Sequence, residues 1–376
     1  MKLLLRLALL LLSAPVWAVD PVGLFTVGNG GTAPDPGSVA AATATAGSNV
    51  AGVYTAGNSL CDTVTPFYWE IGDKNGPIGS GTVYKTNQTP IQAATRLAIA
   101  SASKMVYFAY IASVRAGTLT GADIPYLNQT AGYTNLGSGD GTGASCPASL
   151  SPRTVNECLR QINTGAGPGA GQQYDFQNAV DVGHFAYSGS QFEVHARDEA
   201  GMGTFGNGLL NSTVIGAVAP GTLFVYSQPL LAGGLYGSGS DYSVLLRNLL
   251  NVPASLALLG TNTVCANPGG NYSTQTVGGV AGPSVCDATT SPITAENWQY
   301  SMAHWVETDP AAHGDGAFSS PGSFGFVPWI DASKTYYGVF ARKGGGGQGY
   351  TSARCARLIR RAFITGINQT GSIPTS

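Results

Sequence analysis

Charge is scarce in this chain. Lysine, arginine, aspartate and glutamate make up 10% of its 376 residues, and the formal net charge is −2. Such a chain offers no basic stripe for nucleic acid and no polybasic face for anionic lipid, so neither is expected as a partner. No Cys-x-x-Cys pair occurs, and the four histidines show no His-Glu-x-x-His spacing. No ligand set for zinc is apparent, and neither a metal nor a cofactor is expected. There is no Gly-x-Ser-x-Gly elbow, which disfavours an α/β-hydrolase. Beyond the first residues no segment is long and apolar enough to span a bilayer.

The opening segment has a short basic head, an apolar run from Leu3 to Val16, and small residues around Val16-Trp17-Ala18. It reads as a leader cleaved after Ala18, too short for a membrane span, so the mature chain is expected to be secreted or periplasmic with no integral span. Six cysteines, an even set, suit disulfides in such a compartment. Sequence leaves their connectivity open. Proximity along the chain suggests Cys146–Cys158 and Cys265–Cys286, leaving Cys61 for Cys355. The 53 glycines cluster in connecting segments without a collagen period, and apolar runs lie between them. That suits a loop-rich exported enzyme, not a disordered chain.

The strongest local signal is Ser101-Ala102-Ser103-Lys104 at the head of the apolar run Met105 to Val114. In the first turn of a buried helix this spacing sets Ser101 and Lys104 on one face. A serine hydroxyl needs a base, and a desolvated lysine can serve as one. The helix N-terminus adds backbone N–H groups that favour an oxyanion.

Around it, Val19 to Asn58 reads as an extended or loosely packed lead-in. Thr65 to Asp73 and Gly79 to Tyr84 read as a strand pair. Ala98 to Ala116 is a buried helix closed by Gly117. Ala131 to Ala148 and Gly165 to Gly171 are loops, and Ser151 starts a helix running to Ile162. Ser240-Asp241 caps another helix, with Val244, Leu245, Leu249 and Leu250 in helical period. Val264 to Val285 is an insertion-like loop between two cysteines. Phe324 to Ile330 and Thr335 to Phe340 are strands about the turn Asp331-Ala332-Ser333, and Ser352 to Thr365 is a closing helix. Strands near both termini around a helical middle imply an α+β fold whose antiparallel sheet is built from the two chain ends.

This order of segments resembles the serine β-lactamase-related superfamily, in its class C and family VIII esterase branch with D,D-peptidases and 6-aminohexanoate-dimer hydrolases. The resemblance spans roughly Arg96 to Lys343. Ile99 to Lys104 with the exit Ala116-Gly117-Thr118-Leu119-Thr120 is similar to the nucleophile helix. Arg153 to Leu159 resembles the segment before the family's His-Thr-Ser-Gly stretch, itself not recognisable here. Phe185-Ala186-Tyr187-Ser188-Gly189 resembles the second motif, and Ala232 to Asp241 the Gly-Gly-Leu turn into a helix. Ser320-Pro321-Gly322-Ser323-Phe324-Gly325 falls where the third motif begins its strand.

The resemblance implies one catalytic domain over 19–376 after a leader over 1–18, with 19–100 and 290–376 forming an α/β region and 101–289 a mainly helical one. It implies Ser101 as nucleophile, Lys104 as base and Tyr187 as a second proton shuttle, with the N–H groups of Ser101 and Ser323 as oxyanion hole. Gly189, Ser320 and Gly322 would line the substrate site. Two departures matter. The third motif's lysine or histidine is Ser320, and the second motif's asparagine is Gly189. Efficient β-lactam hydrolysis and D-Ala-D-Ala recognition are therefore not expected. A small ester or amide lacking an adjacent carboxylate is the expected substrate, with a cell-wall-derived fragment also open. The alternative is a catalytically weak or inactive relative that binds cell-wall or polymer fragments. The reading leaves the oligomeric state open. His184 and the turn His313-Gly314-Asp315-Gly316 are further candidates for the cleft.

Overall fold

The structure, a computed structural model, describes residues 36–136, 146, 154–163 and 170–373. The leader, the lead-in up to residue 35, residues 137–145 and 147–153, and residues 164–169 lie outside the described residues. So does Arg153 of the second matched segment.

Two strands from the early chain, β1 (Phe67–Asp73) and β2 (Gly76–Val83), join six from the later chain in one antiparallel sheet. The six are β3 (Val264–Cys265), β4 (Gln299–Ser301), β5 (His304–Val306), β6 (Phe318–Ser319), β7 (Val327–Ile330) and β8 (Tyr336–Arg342). The order across the sheet is β3-β4-β5-β6-β7-β8-β1-β2. The chain ends meet where β8 pairs with β1 from Tyr336↔Asp73 to Arg342↔Phe67. β1 is buried over nearly its whole length, Glu70 included, as expected of a strand covered on both faces.

The lead-in, described from residue 36 on, is extended only in the hairpin Gly47–Val50 with Val53–Ala56. Pro36–Ala46 is a helix, α1, lying against the closing helix α5 (Gly349–Thr365). Its alanines carry little side-chain entropy and allow close approach to α5, so a weakly patterned segment still folds as a helix. Val39 of α1 packs over Gly79 of β2. The disulfide Cys61–Cys355 ties the early chain to α5, and the other two bonds join Cys146–Cys158 and Cys265–Cys286.

The helical middle is organised around α2 (Ser103–Val114), where Ser103 through Ala112 are all buried. A helix apolar on every side belongs inside the molecule, and α2 is the axis on which the other helices pack. Past its C-cap Arg115 the left-handed residue is Ala116, at φ +51°, not Gly117, which follows at φ +76° with its N–H on the Ala112 carbonyl. Beside α2 run α3 (Ser190–Asp198) and α4 (Gly239–Leu250).

Four local expectations are corrected. α4 is capped by Ser238, not Ser240: its hydroxyl accepts the Asp241 N–H while the Asp241 carboxylate accepts the Ser238 N–H. The helix expected from Ser151 to Ile162 is described as Val155–Leu159 capped by Thr154, and Ile162 instead bridges Gln173. Ala131–Tyr133 is a short strand paired with Gln177–Val182, held by the Gln191 and Gln177 side chains. The Val264 to Val285 loop carries β3 and a small hairpin, Thr276–Val277 with Val280–Ala281.

Candidate active site

The chain enters α2 through a tight turn, Ala100–Ala102. Ile99 donates to the Leu235 carbonyl and accepts from Ala102 N–H, which clamps the residue before the turn. Ala100 has φ +46°, in the left-handed region that a residue with a Cβ seldom adopts. That conformation costs about 1 kcal/mol and persists because its neighbours are fixed. It turns the backbone so that Ser101, half-buried, stands at the mouth of the helix. Ser103 Oγ donates back to the Ala100 carbonyl at 2.7 Å, and Tyr242 Oη donates to the Ala102 carbonyl at 2.7 Å.

Lys104 is 1% exposed. Its Nζ donates to Ser101 Oγ at 3.1 Å and to the Ala232 carbonyl at 3.0 Å. The ammonium lies over the Tyr187 ring, 4.7 Å from the centroid, and near that of Phe192 at 5.6 Å. Among the described residues no carboxylate forms an ion pair with it. The enclosed ammonium is held by two neutral oxygens and ring faces.

Tyr187 is fixed by its N–H to the Thr290 carbonyl and by rings on the sheet side: Trp305 stacks on it and Tyr300 meets it edge-on. It meets Lys104 through its face. No hydrogen bond from its hydroxyl to Ser101 or Lys104 occurs among the described residues. Gly189 begins α3 with its N–H on the Leu136 carbonyl, and a side chain there would lie against Ala232 and Leu136. The acceptor that Lys104 uses is the Ala232 carbonyl beside it.

The hairpin β6–β7 brings the third segment to the nucleophile. Ser320 Oγ donates to the Ser101 carbonyl at 3.0 Å, and Ser320 N–H continues the ladder to Pro328. Gly322 packs so closely that a Cβ on it would stand 2.1 Å from the Ile99 carbonyl oxygen. Only glycine fits there, because the clashing atom is backbone. Ser323 sits in the turn beyond, its carbonyl accepting Gln348 N–H and its hydroxyl accepting Gly347 N–H. Ser101, Lys104, Tyr187, Gly189, Ser320 and Gly322 thus converge, while the bonds of Ser323 run toward the segment before α5.

Sequence reasoning passed over a buried polar row beneath this group. Glu193, on α3, accepts the Ala232 N–H at 2.9 Å. Tyr107 of α2 bonds His195 Nδ1 at 2.7 Å, and His195 Nε2 meets Asp123 at 2.9 Å. Burial favours the neutral imidazole of His195 against the pull of Asp123. Burial also raises the Asp123 carboxyl, yet the Thr120 N–H, Arg115 and His195 outweigh it and hold the group at about 2. The signal was a run of polar residues, Gln191, Glu193 and His195, alternating with Phe192 and Val194; that period of two reads as a half-exposed strand, whereas the segment is an enclosed helix.

His184 lies 42% exposed beside Asp287, 3.3 Å away. His313 to Gly316 form a turn whose Asp315 is gripped by Arg360 of α5. Cys265, Cys286 and Asp287 lie close enough to suggest a metal group, but the two sulfurs are joined in a disulfide and offer no thiolate.

No protein-family model matches the chain, and no curated protein matches it in sequence. Solved structures do. The octameric penicillin-binding protein homologue from Pyrococcus abyssi is similar at a TM-score of 0.52 and 12% identity, with 83% of this chain and 76% of that one covered. Simvastatin synthase LovD from Aspergillus terreus gives 0.49 at 11% identity, with 80% and 94% covered. A beta-lactamase from Mycobacterium bovis gives 0.45 at 14% identity, with 81% and 96% covered. The first of these shows a shared fold. The chain shares the antiparallel sheet and helical body of that penicillin-binding protein homologue, the fold that the resemblance implied.

Proposed function

We propose that this chain is an exported serine hydrolase that cleaves an ester or amide through an acyl-enzyme on Ser101. The observation that carries the reading is the contact between Ser101 Oγ and the buried Lys104 Nζ, 3.1 Å apart at the entrance of α2. Lys104, in its neutral form, takes the Ser101 proton as Oγ attacks the substrate carbonyl carbon. The resulting oxyanion is received by the N–H groups of Ser101 and Ser323. The proton then passes to the leaving group by way of Tyr187, the bond to the leaving group breaks, and the acyl group stays on Oγ. Water, deprotonated by the same groups, attacks the acyl carbon and frees Ser101.

The substrate class follows from what the site lacks. Ser320 spends its hydroxyl on the Ser101 backbone and Gly189 presents no side chain, so neither gives a charge or amide to a carboxylate-bearing acyl group. A neutral acyl group fits better. The same two features favour a second reading, a cleft that binds polymer or cell-wall fragments without turnover. Burst kinetics with a p-nitrophenyl ester separate the two. A burst of p-nitrophenol near one equivalent of enzyme, lost in Ser101→Ala and Lys104→Ala, supports the hydrolase. Retention of the ester without p-nitrophenol release supports the binding protein.

A further inference from the structure

Glu193 is fully buried on α3, and the chemistry above does not use it. Its Oε1 accepts the Ala232 N–H at 2.9 Å, while the carbonyl of the same residue receives Lys104 Nζ at 3.0 Å. Ala232 is therefore gripped at both polar groups, on one side by the carboxyl and on the other by the lysine of the serine–lysine pair. Glu193 Oε2 has no hydrogen-bond partner of ordinary geometry among the described residues. An enclosed carboxylate with half its acceptors unused is costly, and a nearby cation or a bound proton must relieve it.

The groups facing Glu193 identify that cation. From α2 come Lys104 and Tyr107, and from the short strand Val225–Tyr226 comes Tyr226, whose hydroxyl also lacks a partner among the described residues. Burial first, and then the charge of Glu193, push both phenols far above their usual range, so they stay neutral. His195 on the same helix is committed to Tyr107 and Asp123, and Arg115 beyond it is paired with Asp123. Lys104 is left as the positive group that Glu193 senses. Burial raises the Glu193 carboxyl to about 8, against the Ala232 and Leu231 N–H groups and the Lys104 charge. The group therefore changes charge near neutral pH.

We propose that Glu193 is a positioning residue for the Ser101–Lys104 pair: it anchors Ala232, on which Lys104 leans, and its charge governs how tightly Lys104 holds its proton. When Glu193 is protonated, Lys104 has no counter-ion and releases its proton readily to become the base. When Glu193 is ionised, the carboxylate holds the ammonium and delays that release. The inference rests on the reading of Ser101 and Lys104 as the acylating pair.

The test is the rate of fluorophosphonate labelling of Ser101 across pH in wild type, Glu193→Gln and Glu193→Met, each checked for folding by near-ultraviolet circular dichroism. The glutamine keeps an oxygen for Ala232 and removes the charge; the methionine removes both. The expected result is a rise in labelling whose midpoint moves to lower pH by about one unit or more in both variants, the size that removing a nearby opposite charge produces. The maximal rate is kept in Glu193→Gln and reduced in Glu193→Met. A midpoint unchanged in either folded variant overturns the inference while leaving the hydrolase reading intact. No label on wild type at any pH sinks the hydrolase reading, and this inference with it.

Discussion

The Ser320 hydroxyl donates to the backbone carbonyl of Ser101 at 3.0 Å, joining residues 219 positions apart. This bond, with the close approach of Gly322 to Ile99, docks the hairpin β6–β7 onto the turn that presents the nucleophile. The sheet and the helical body thus meet at the proposed reacting serine.

Gly322 tests that junction. In Gly322→Ala the new methyl would stand 2.1 Å from the Ile99 oxygen, so the hairpin or the turn must shift. A loss of about 1–3 kcal/mol in stability is expected, the usual range for overpacking. Fluorophosphonate labelling should fall as well, because the strained Ala100–Ser101 backbone moves with Ile99. Denaturant unfolding and labelling rates read both effects; a variant with wild-type values in each would contradict the close approach.

Tyr187 offers a sharper separation. Its ring lies beneath the Lys104 ammonium, so Tyr187→Phe keeps the face and removes only the hydroxyl. Under the proposed proton route, kcat on a p-nitrophenyl ester falls about 10²- to 10⁴-fold with stability little changed. An undiminished kcat would restrict Tyr187 to enclosing the lysine.

Glu193 also predicts how stability responds to pH. Its folded carboxyl is raised from 4.5 to about 8, so between those values the folded state holds a proton that the unfolded chain has released. The contribution of Glu193 to stability is therefore full below about pH 4.5 and declines as pH rises toward 8, with a slope of at most about 1.4 kcal/mol per unit. Glu193→Gln removes this group's contribution. Unfolding curves at acidic and mildly alkaline pH should show a smaller decline in the variant than in wild type; equal declines would mean that Glu193 stays ionised throughout.

The Cys61–Cys355 bond closes the longest of the three disulfide loops, with a sequence separation of 294. Replacing both cysteines by alanine is expected to lower stability by about 2–4 kcal/mol, because the unfolded chain regains the freedom of a long loop. Ser101 labelling at low temperature should survive, since the bond lies among α5 and the early chain and not at the site. An unchanged unfolding midpoint would show that the packing of α1 and α5 alone secures the chain ends.

Strong local signals carried much of the fold. The apolar run of α2, the strand pairs β1–β2 and β7–β8 and the even set of cysteines could all be read from residue order. What could not be read came from tertiary context. Nothing in the alanines and threonines of α1 marks a helix until α5 is there to receive them. Ser238 outcompetes Ser240 as a cap only because Asp241 reaches back to it. Around the site, Ser101 and Lys104 are legible because their contact is local to one turn. Ala232 and Glu193 are not, because one acts through its backbone and the other sits in a helix whose polar spacing suggests exposure.

The most direct test of the central claim is the intact mass of the mature protein after exposure to a fluorophosphonate, alongside Ser101→Ala. The account predicts one adduct per wild-type chain, mapped to Ser101, and none on the variant. A folded wild type that takes up no adduct, or an adduct that persists in Ser101→Ala, would contradict it.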